Sequence, residues 1–391
     1  MSIVTRSSQH DLKITNINKL DIINQMFVDY EQTLYHYIKL ITSGQLPFKK
    51  YVSSKDLPVI TLIESHHREM CYQLAFSIIK SNLKFTTNST FKRYQKIYRY
   101  FSNKQRQTNF LSKRYRELHV DLLKRVKIDI KSVKIPFGYK IFNIRTGNHF
   151  DYFIRITTPY RKSETRYHTI NIPINEHKHS LQYTNWKRKS YIELFKINGN
   201  IYLKFVYEKE VSTKTSGESI AFDCGYKKLL SDSNGVHYGK ELFSLYNKLS
   251  KMKRGSKNYK QIVIHKNNEI NRIINSVPLE NIKTVIVEAL KNVKKNSKLS
   301  SKTMNKMQYW CYSQVMRKLE ARSQEEGFNL INVNPAYTSQ TCGSCSTIDK
   351  SNRQGEVYQC KTCGLLIDAD SNAAINILHK GTGVPLTIKD N

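Results

Sequence analysis

Acidic residues are scarce in this chain of 391 residues: 31 aspartates and glutamates stand against 64 lysines and arginines, a formal net charge of +33. AT-rich coding would explain abundant Lys, Asn, Ile and Tyr, but it does not explain the missing acids. A surface this positive draws polyanions, nucleic acid first among them, because each neutralised phosphate releases condensed counterions. Long hydrophobic runs are missing too. The strongest, Thr284-Val285-Ile286-Val287-Glu288-Ala289-Leu290, is strand-sized and contains a carboxylate, so no membrane-spanning helix is expected. Met1 to Arg6 lack the apolar core of a signal peptide, and no amphipathic anchor, lipidation motif or internal repeat is visible. An intracellular setting without membrane partners is expected, cytoplasmic or nucleoid-associated if the source is prokaryotic or a phage.

The length allows two or three domains. Residues 1–15 are polar with a short strand signal. From 16 to 125 the pattern is helical, with Leu20, Ile23, Met26, Phe27, Tyr30, Leu34, Tyr37 and Ile38 recurring at three- and four-residue steps. Its second part interleaves cations with aromatics: Lys92, Arg93, Lys96, Arg99, Lys104, Arg106, Lys113, Arg114 and Arg116 among Tyr94, Tyr98, Tyr100, Phe101 and Tyr115. Cations suit backbone phosphates and flat rings suit unpaired bases, so these are the expected nucleic-acid contacts; an amphipathic helix with a solvated basic face reads the same way. From 126 to 210 the period becomes two, as in Val126, Ile128, Ile130 and again Ile201, Leu203, Phe205, which predicts a small β-domain or barrel. Thr158-Pro159-Tyr160-Arg161-Lys162 reads as a basic loop within it. The polar stretch Val211 to Gly217 marks a boundary.

Three carboxylates follow in unusual settings. Asp223 ends the apolar strand Ser219-Ile220-Ala221-Phe222, and the turn Asp232-Ser233-Asn234-Gly235 then leads into Val236-His237-Tyr238, an antiparallel return. Glu288 closes a β-branched run fit for burial on both faces. Asp370 opens an apolar-faced helix that Gly381 and Pro385 are expected to end. Brought together, such acids suit paired Mg²⁺ ions, which clamp the attacking water and the leaving oxygen of a phosphodiester. Singly, Asp370 reads equally as a helix cap and Glu288 as a solvated strand-end acid.

Of seven cysteines, Cys71, Cys224 and Cys311 are scattered and read as ordinary partly buried residues. The other four form two pairs, Cys342-Gly343-Ser344-Cys345 and Cys360-Lys361-Thr362-Cys363, fourteen residues apart. This spacing favours one structural Zn²⁺ in a closed tetrahedron over an iron–sulfur centre or a redox dithiol.

Asn334-Pro335-Ala336-Tyr337-Thr338-Ser339-Gln340-Thr341-Cys342, the two cysteine pairs and Asp370-Ser371-Asn372-Ala373-Ala374 together resemble the C-terminal signature of the TnpB family, transposon-encoded relatives of the compact type V CRISPR effectors. Asp223-Cys224-Gly225 and Glu288-Ala289-Leu290 are similar to that family's first two RuvC motifs. The resemblance implies an α/β multidomain chain: a first wedge strand at 1–15, a helical recognition region at 16–125 and a β-barrel wedge at 126–215. It then implies an RNase H-like RuvC nuclease at 216–335, a zinc ribbon for target nucleic acid at 336–366, and the third RuvC motif and tail at 367–391. It also implies a guide RNA and double-stranded target DNA with a short flanking motif as partners, with a monomer as the expected state. Asp223, Glu288 and Asp370 match the family's metal-binding triad, and Arg353 resembles an arginine near the scissile phosphate. Ser346 stands where relatives usually have glycine. The implied activity is RNA-guided DNA cleavage; a guided repressor or an accessory transposition protein is the alternative.

Overall fold

The computed structural model describes residues 1–85, 133–290 and 311–383. The nine cations from Lys92 to Arg116 and the alternation beginning at Val126 lie outside the described residues. The chain divides into two compact units, one made of Thr5–Lys209 and the other of Met1–Val4 with Glu210–Asn391. Among the described residues no helix is long and apolar enough to cross a membrane.

Among its described residues, the Thr5–Lys209 unit combines two long helices with two antiparallel sheets. Helix α1 (Ile17–Thr42) starts where the Asn16 side chain accepts from the Asn18 N–H at 2.9 Å. Its buried stripe is Ile23, Met26, Phe27, Tyr30, Leu34, Tyr37, Ile38 and Ile41. Leu20, expected on that stripe, is only partly buried against it. The stripe packs on helix α2 (Ser65–Phe85). Burial of tyrosines is tolerable because their hydroxyls find partners: Tyr37 donates to the Pro58 carbonyl at 3.0 Å, and Tyr30 pairs with His67 Nδ1.

One sheet has the order β1-β7-β6-β2, from β1 (Ser2–Asp11), β7 (Asn200–Val211), β6 (Lys187–Ile197) and β2 (Lys134–Gly138). The other joins β3 (Phe142–Thr146), β4 (Tyr152–Arg161) and β5 (Tyr167–Ile174). The β6–β7 hairpin turns at Asn198-Gly199, both with positive φ, the chemistry a two-residue turn needs. Two expectations are corrected. The first strand is ten residues long, not short, because it is paired beside β7. Thr158 to Arg161 belong to β4 and not to a loop: the ladder shifts register between Thr157 and Arg161, and Pro159, which lacks an N–H, is accommodated at that irregularity. A one-turn helix, α3 (Lys178–Leu181), leads into β6.

The second unit centres on a five-stranded sheet of order β10-β9-β8-β11-β12. Strands β8 (Glu218–Asp223), β9 (Leu230–Asp232) and β10 (His237–Tyr238) run antiparallel in sequence, while β11 (Ile282–Glu288) and β12 (Asn329–Val333) lie parallel to β8. Alternation sends Ile220, Phe222, Val285 and Val287 into a core with helices α4 (Leu242–Lys251), α5 (Lys257–Ser276) and α6 (Tyr312–Glu326). Ala221 and Ile286 point the other way, onto Ile377 of helix α7 (Ala369–Thr382). Gly381 does not end that helix. It lies inside it, where a Cβ would meet Ile286 at 2.5 Å, and Gly383 with φ of 69° is the C-cap. Gly381 therefore serves close helix–strand approach. A small three-stranded sheet, β13 (Arg353–Gln354), β14 (Val357–Gln359) and β15 (Leu366–Asp368), precedes α7.

Candidate active site and metal centre

Phe222 is paired with Val287 across β8 and β11, so Asp223 and Glu288 come next in step along two parallel neighbours. Both fall on the α7 face by alternation with Ala221 and Ile286. Asp370 enters from the first turn of α7. The three acids thus gather from positions 147 residues apart in sequence. Their mutual field is visible in their acidities. An edge of Asp223 meets solvent, yet burial pushes its carboxyl up to about 7, and Glu288 and Asp370 add to the rise against opposing pulls from Arg353 and Lys228. Burial also raises Glu288, which is 7% exposed, while the Thr338 hydroxyl, which donates to its Oε1, holds it down in part.

Asp370 is paired on both oxygens. Arg353 Nη2 donates to its Oδ1 at 2.9 Å, and Lys228 Nζ lies 3.2 Å from its Oδ2. Arg353 therefore does reach the acidic cluster. Lys228 is 6% exposed and also meets Asp368 Oδ2 at 2.5 Å. Asp368, not Asp370, caps the helix, accepting from the N–H groups of Asp370 and Ser371 at 3.0 and 3.1 Å. Burial opposes ionisation of Asp368, but Lys228 and the Ser371 N–H outweigh it and hold its carboxyl below the usual carboxylate range. With its capping role filled, Asp370 is free to face the other acids.

The surroundings hold residues that sequence patterns did not single out. Lys228 looked like one more cation in Tyr226-Lys227-Lys228-Leu229; its position five residues past Asp223 in a mostly apolar return was the available signal. Thr338, inside the Asn334–Cys342 signature, ties that segment to Glu288. Asn372 is fully buried, accepts from the Gly343 N–H at 2.8 Å and donates to the Thr341 carbonyl at 2.8 Å. Asn376 donates to the carbonyls of Thr338 and Thr341 at 2.9 and 2.7 Å. The amide side chains of α7 therefore clamp the first cysteine knuckle.

The four cysteines converge. Cys342 and Cys363 sulfurs are 3.6 Å apart, as are those of Cys345 and Cys360, and all four lie within 4.8 Å of one another. A tetrahedral zinc with bonds near 2.3 Å spaces its sulfurs by about 3.8 Å, so the set fits that ion. The two knuckles match: Ser346 N–H donates to the Cys342 carbonyl and Gly364 N–H to the Cys360 carbonyl, each at 3.0 Å. Both following residues are left-handed, Ser346 at φ 60° and Gly364 at φ 75°. The carboxylates are looser: among the described residues, only the cysteines bring all their ligand atoms this close. Hard oxygens on one face, with the carboxyls of Asp223 and Glu288 pushed up chiefly by burial, suit a divalent cation. Cys71 and Cys224 are buried and Cys311 partly so.

Residues 312–377 match a family model described as Cas12f1-like, TNB domain. The chain is 40% identical over 72 residues to a CRISPR-associated endodeoxyribonuclease Cas12f1 of Sulfoacidibacillus thermotolerans, covering 18% of this chain and 17% of that protein. It is 26% identical over 226 residues to a putative RNA-guided DNA endonuclease InsQ of Escherichia coli K12, covering 48% of this chain and 55% of that one. The matched segments thus span less than two thirds of these relatives' own lengths. A solved structure of CasPhi-2 (Cas12j) bound to crRNA aligns over 99% of both chains with a TM-score of 0.50 and 9% identity, a likeness of fold. With its paired cysteine knuckles and the matching signature, the chain is a relative of the TnpB-like and Cas12f1 proteins.

Proposed function

We propose that the chain is an RNA-guided endonuclease that hydrolyses DNA phosphodiester bonds at Asp223, Glu288 and Asp370. The observation that carries this reading is the gathering of the three acids on one sheet face beneath α7. A five-stranded sheet with three antiparallel strands and two parallel additions supports an RNase H-like, RuvC-type assignment. The two sheets of the Thr5–Lys209 unit, sharing one core with α1 and α2, support a wedge with a helical insertion. The names of the relatives, endodeoxyribonuclease and RNA-guided DNA endonuclease, agree with it.

In this reading Asp223 and Glu288, with an oxygen of Asp370, hold divalent magnesium. The bound ion supplies Lewis acidity that lowers the pKa of a nucleophilic water and screens charge on the phosphate. The protein's own groups do the rest. Lys228 and the capped helix start fix where Asp370 stands, and Thr338 orients Glu288. Arg353, now on Asp370, is the cation able to turn toward a phosphate in the same cleft. The four cysteines hold zinc as a closed structural site with no open position for chemistry.

Loss of one carboxylate tests this. Asp223→Ala is expected to lower magnesium-dependent DNA cutting by roughly a thousandfold or more, since several kcal/mol of charge stabilisation vanish. Guide and target binding should persist, and the RNA that co-purifies should be a single defined species on sequencing. Equal cutting by parent and variant removes the triad from the mechanism. A second reading, guided DNA binding without cutting, draws on the pairing of both Asp370 oxygens with Arg353 and Lys228. A parent complex that binds target DNA yet leaves it intact in magnesium would select it.

A further inference from the structure

A second site lies in the Thr5–Lys209 unit. A cavity of about 440 Å³ opens among β3, β4, the α3 turn and the start of β6, well within the range of small-ligand sites. Its walls are flat. Tyr139, Tyr152, Tyr183 and Trp186 contribute rings, and Arg188 lays its guanidinium 4.7 Å from the Tyr152 ring centre and 4.9 Å from that of Phe205. The Arg188 Nε is buried and finds no hydrogen-bond acceptor in the protein. A buried donor left open carries a cost unless something fills it. Opposite in chemistry, Glu176 lines the same cavity, with Oε1 accepting from the Tyr152 hydroxyl at 3.1 Å.

We infer that this cavity receives one unstacked nucleotide of a single-stranded nucleic acid. Planar walls match the face of a base, the Arg188 Nε matches a ring-nitrogen or carbonyl acceptor, and the Glu176 carboxylate matches an amino or imino donor. A lipid tail would leave both polar groups unpaired. A peptide would leave so many aromatic ring faces largely unused. The inference rests on the reading of the chain as a nucleic-acid-binding protein, but it concerns none of the acids or cysteines assigned above.

The test uses the full chain with two short single-stranded oligonucleotides, one ribo and one deoxyribo, each carrying a photoreactive thiolated pyrimidine. Irradiation followed by peptide mapping should join nucleotide to the segments holding Tyr139, Tyr152 or Trp186. Tyr139, 68% exposed, can be truncated without opening the core. Tyr139→Ala should weaken binding by about tenfold, within the range seen for loss of one base–ring stack. Glu176→Gln should alter which base binds best. A loss confined to the ribo probe names RNA as the source of the nucleotide, and one confined to the deoxyribo probe names DNA. If the chain binds the probes but cross-links map elsewhere and both variants bind as the parent does, the cavity assignment is overturned while nucleic-acid binding stands. If the parent binds neither probe, the broader reading falls first. A Tyr139→Ala chain that melts lower shifts the decision to the parent's cross-link map.

Discussion

Two clusters of metal-ligand side chains share the Glu210–Asn391 unit, and they are built on opposite plans. The four cysteines come from two matching knuckles, each closed by its own backbone hydrogen bond, and their sulfurs already stand at tetrahedral spacing. The three carboxylates come from two strands and a helix, and their field is offset by Lys228 and Arg353 reaching in from elsewhere. The first cluster supplies four mutually close thiols from its own two knuckles. The second keeps its charges at a cost, as the proposed site for substrate would require. In that reading a structural metal and a catalytic one differ in who neutralises the ligands.

The contrast yields opposite signs for stability. Cys360→Ser should remove a zinc ligand, so that zinc content falls well below one per chain and the melting temperature drops by roughly ten degrees. Metal analysis with calorimetry would read both, and unchanged zinc content would reject the ligand set. Thr338→Val should slow cutting about tenfold with target affinity unaltered, because a hydrogen bond to a charged group is lost. The pH–rate midpoint should rise with it, since the hydroxyl holds Glu288 down, and Thr338→Ser should restore both. Asp223→Asn should raise stability in magnesium-free buffer. The folded chain holds the Asp223 proton more tightly than the unfolded chain, about 7 against 3.8, so stability is fullest below the lower value and is lost as pH rises toward the higher. The variant should therefore melt above the parent at pH 8 and level with it at pH 4; a variant that melts lower at pH 8 would erase the distinction between the clusters. The smallest effect belongs to Ser346→Gly. Relief of a left-handed serine should add about 1 kcal/mol, seen as a rise of a few degrees in thermal unfolding.

Local chemistry was legible in the sequence where one short motif carried it. The cysteine spacing, the acid-ended strands and the Asp232–Gly235 turn all act over a few residues. The helical stripe of α1 was legible for the same reason, its period lying within one element. What escaped depended on distant partners. Lys228 acquires meaning only from Asp368 and Asp370, 140 and more residues onward. The resemblance picked out Asp370, but its residues alone left a helix cap open; the structure gives that role to Asp368, two residues before. Gly381 read as a stop because glycine usually ends helices; nothing local announces that Ile286 lies against it. Thr158 to Arg161 read as a loop because proline and cations are common there, whereas the β4–β5 register absorbs them.

The clamp formed by Asn372 has a mechanical corollary. This side chain sits two residues past Asp370 and grips the amide of Gly343 inside the first knuckle, where an added methyl would strike Ile375 at 2.9 Å. Ribbon and acid are therefore tied to the same stretch of α7 by buried hydrogen bonds. If the ribbon holds target nucleic acid, as the resemblance implies, a pull on it would pass through Asn372 and α7 toward Asp370, two residues before.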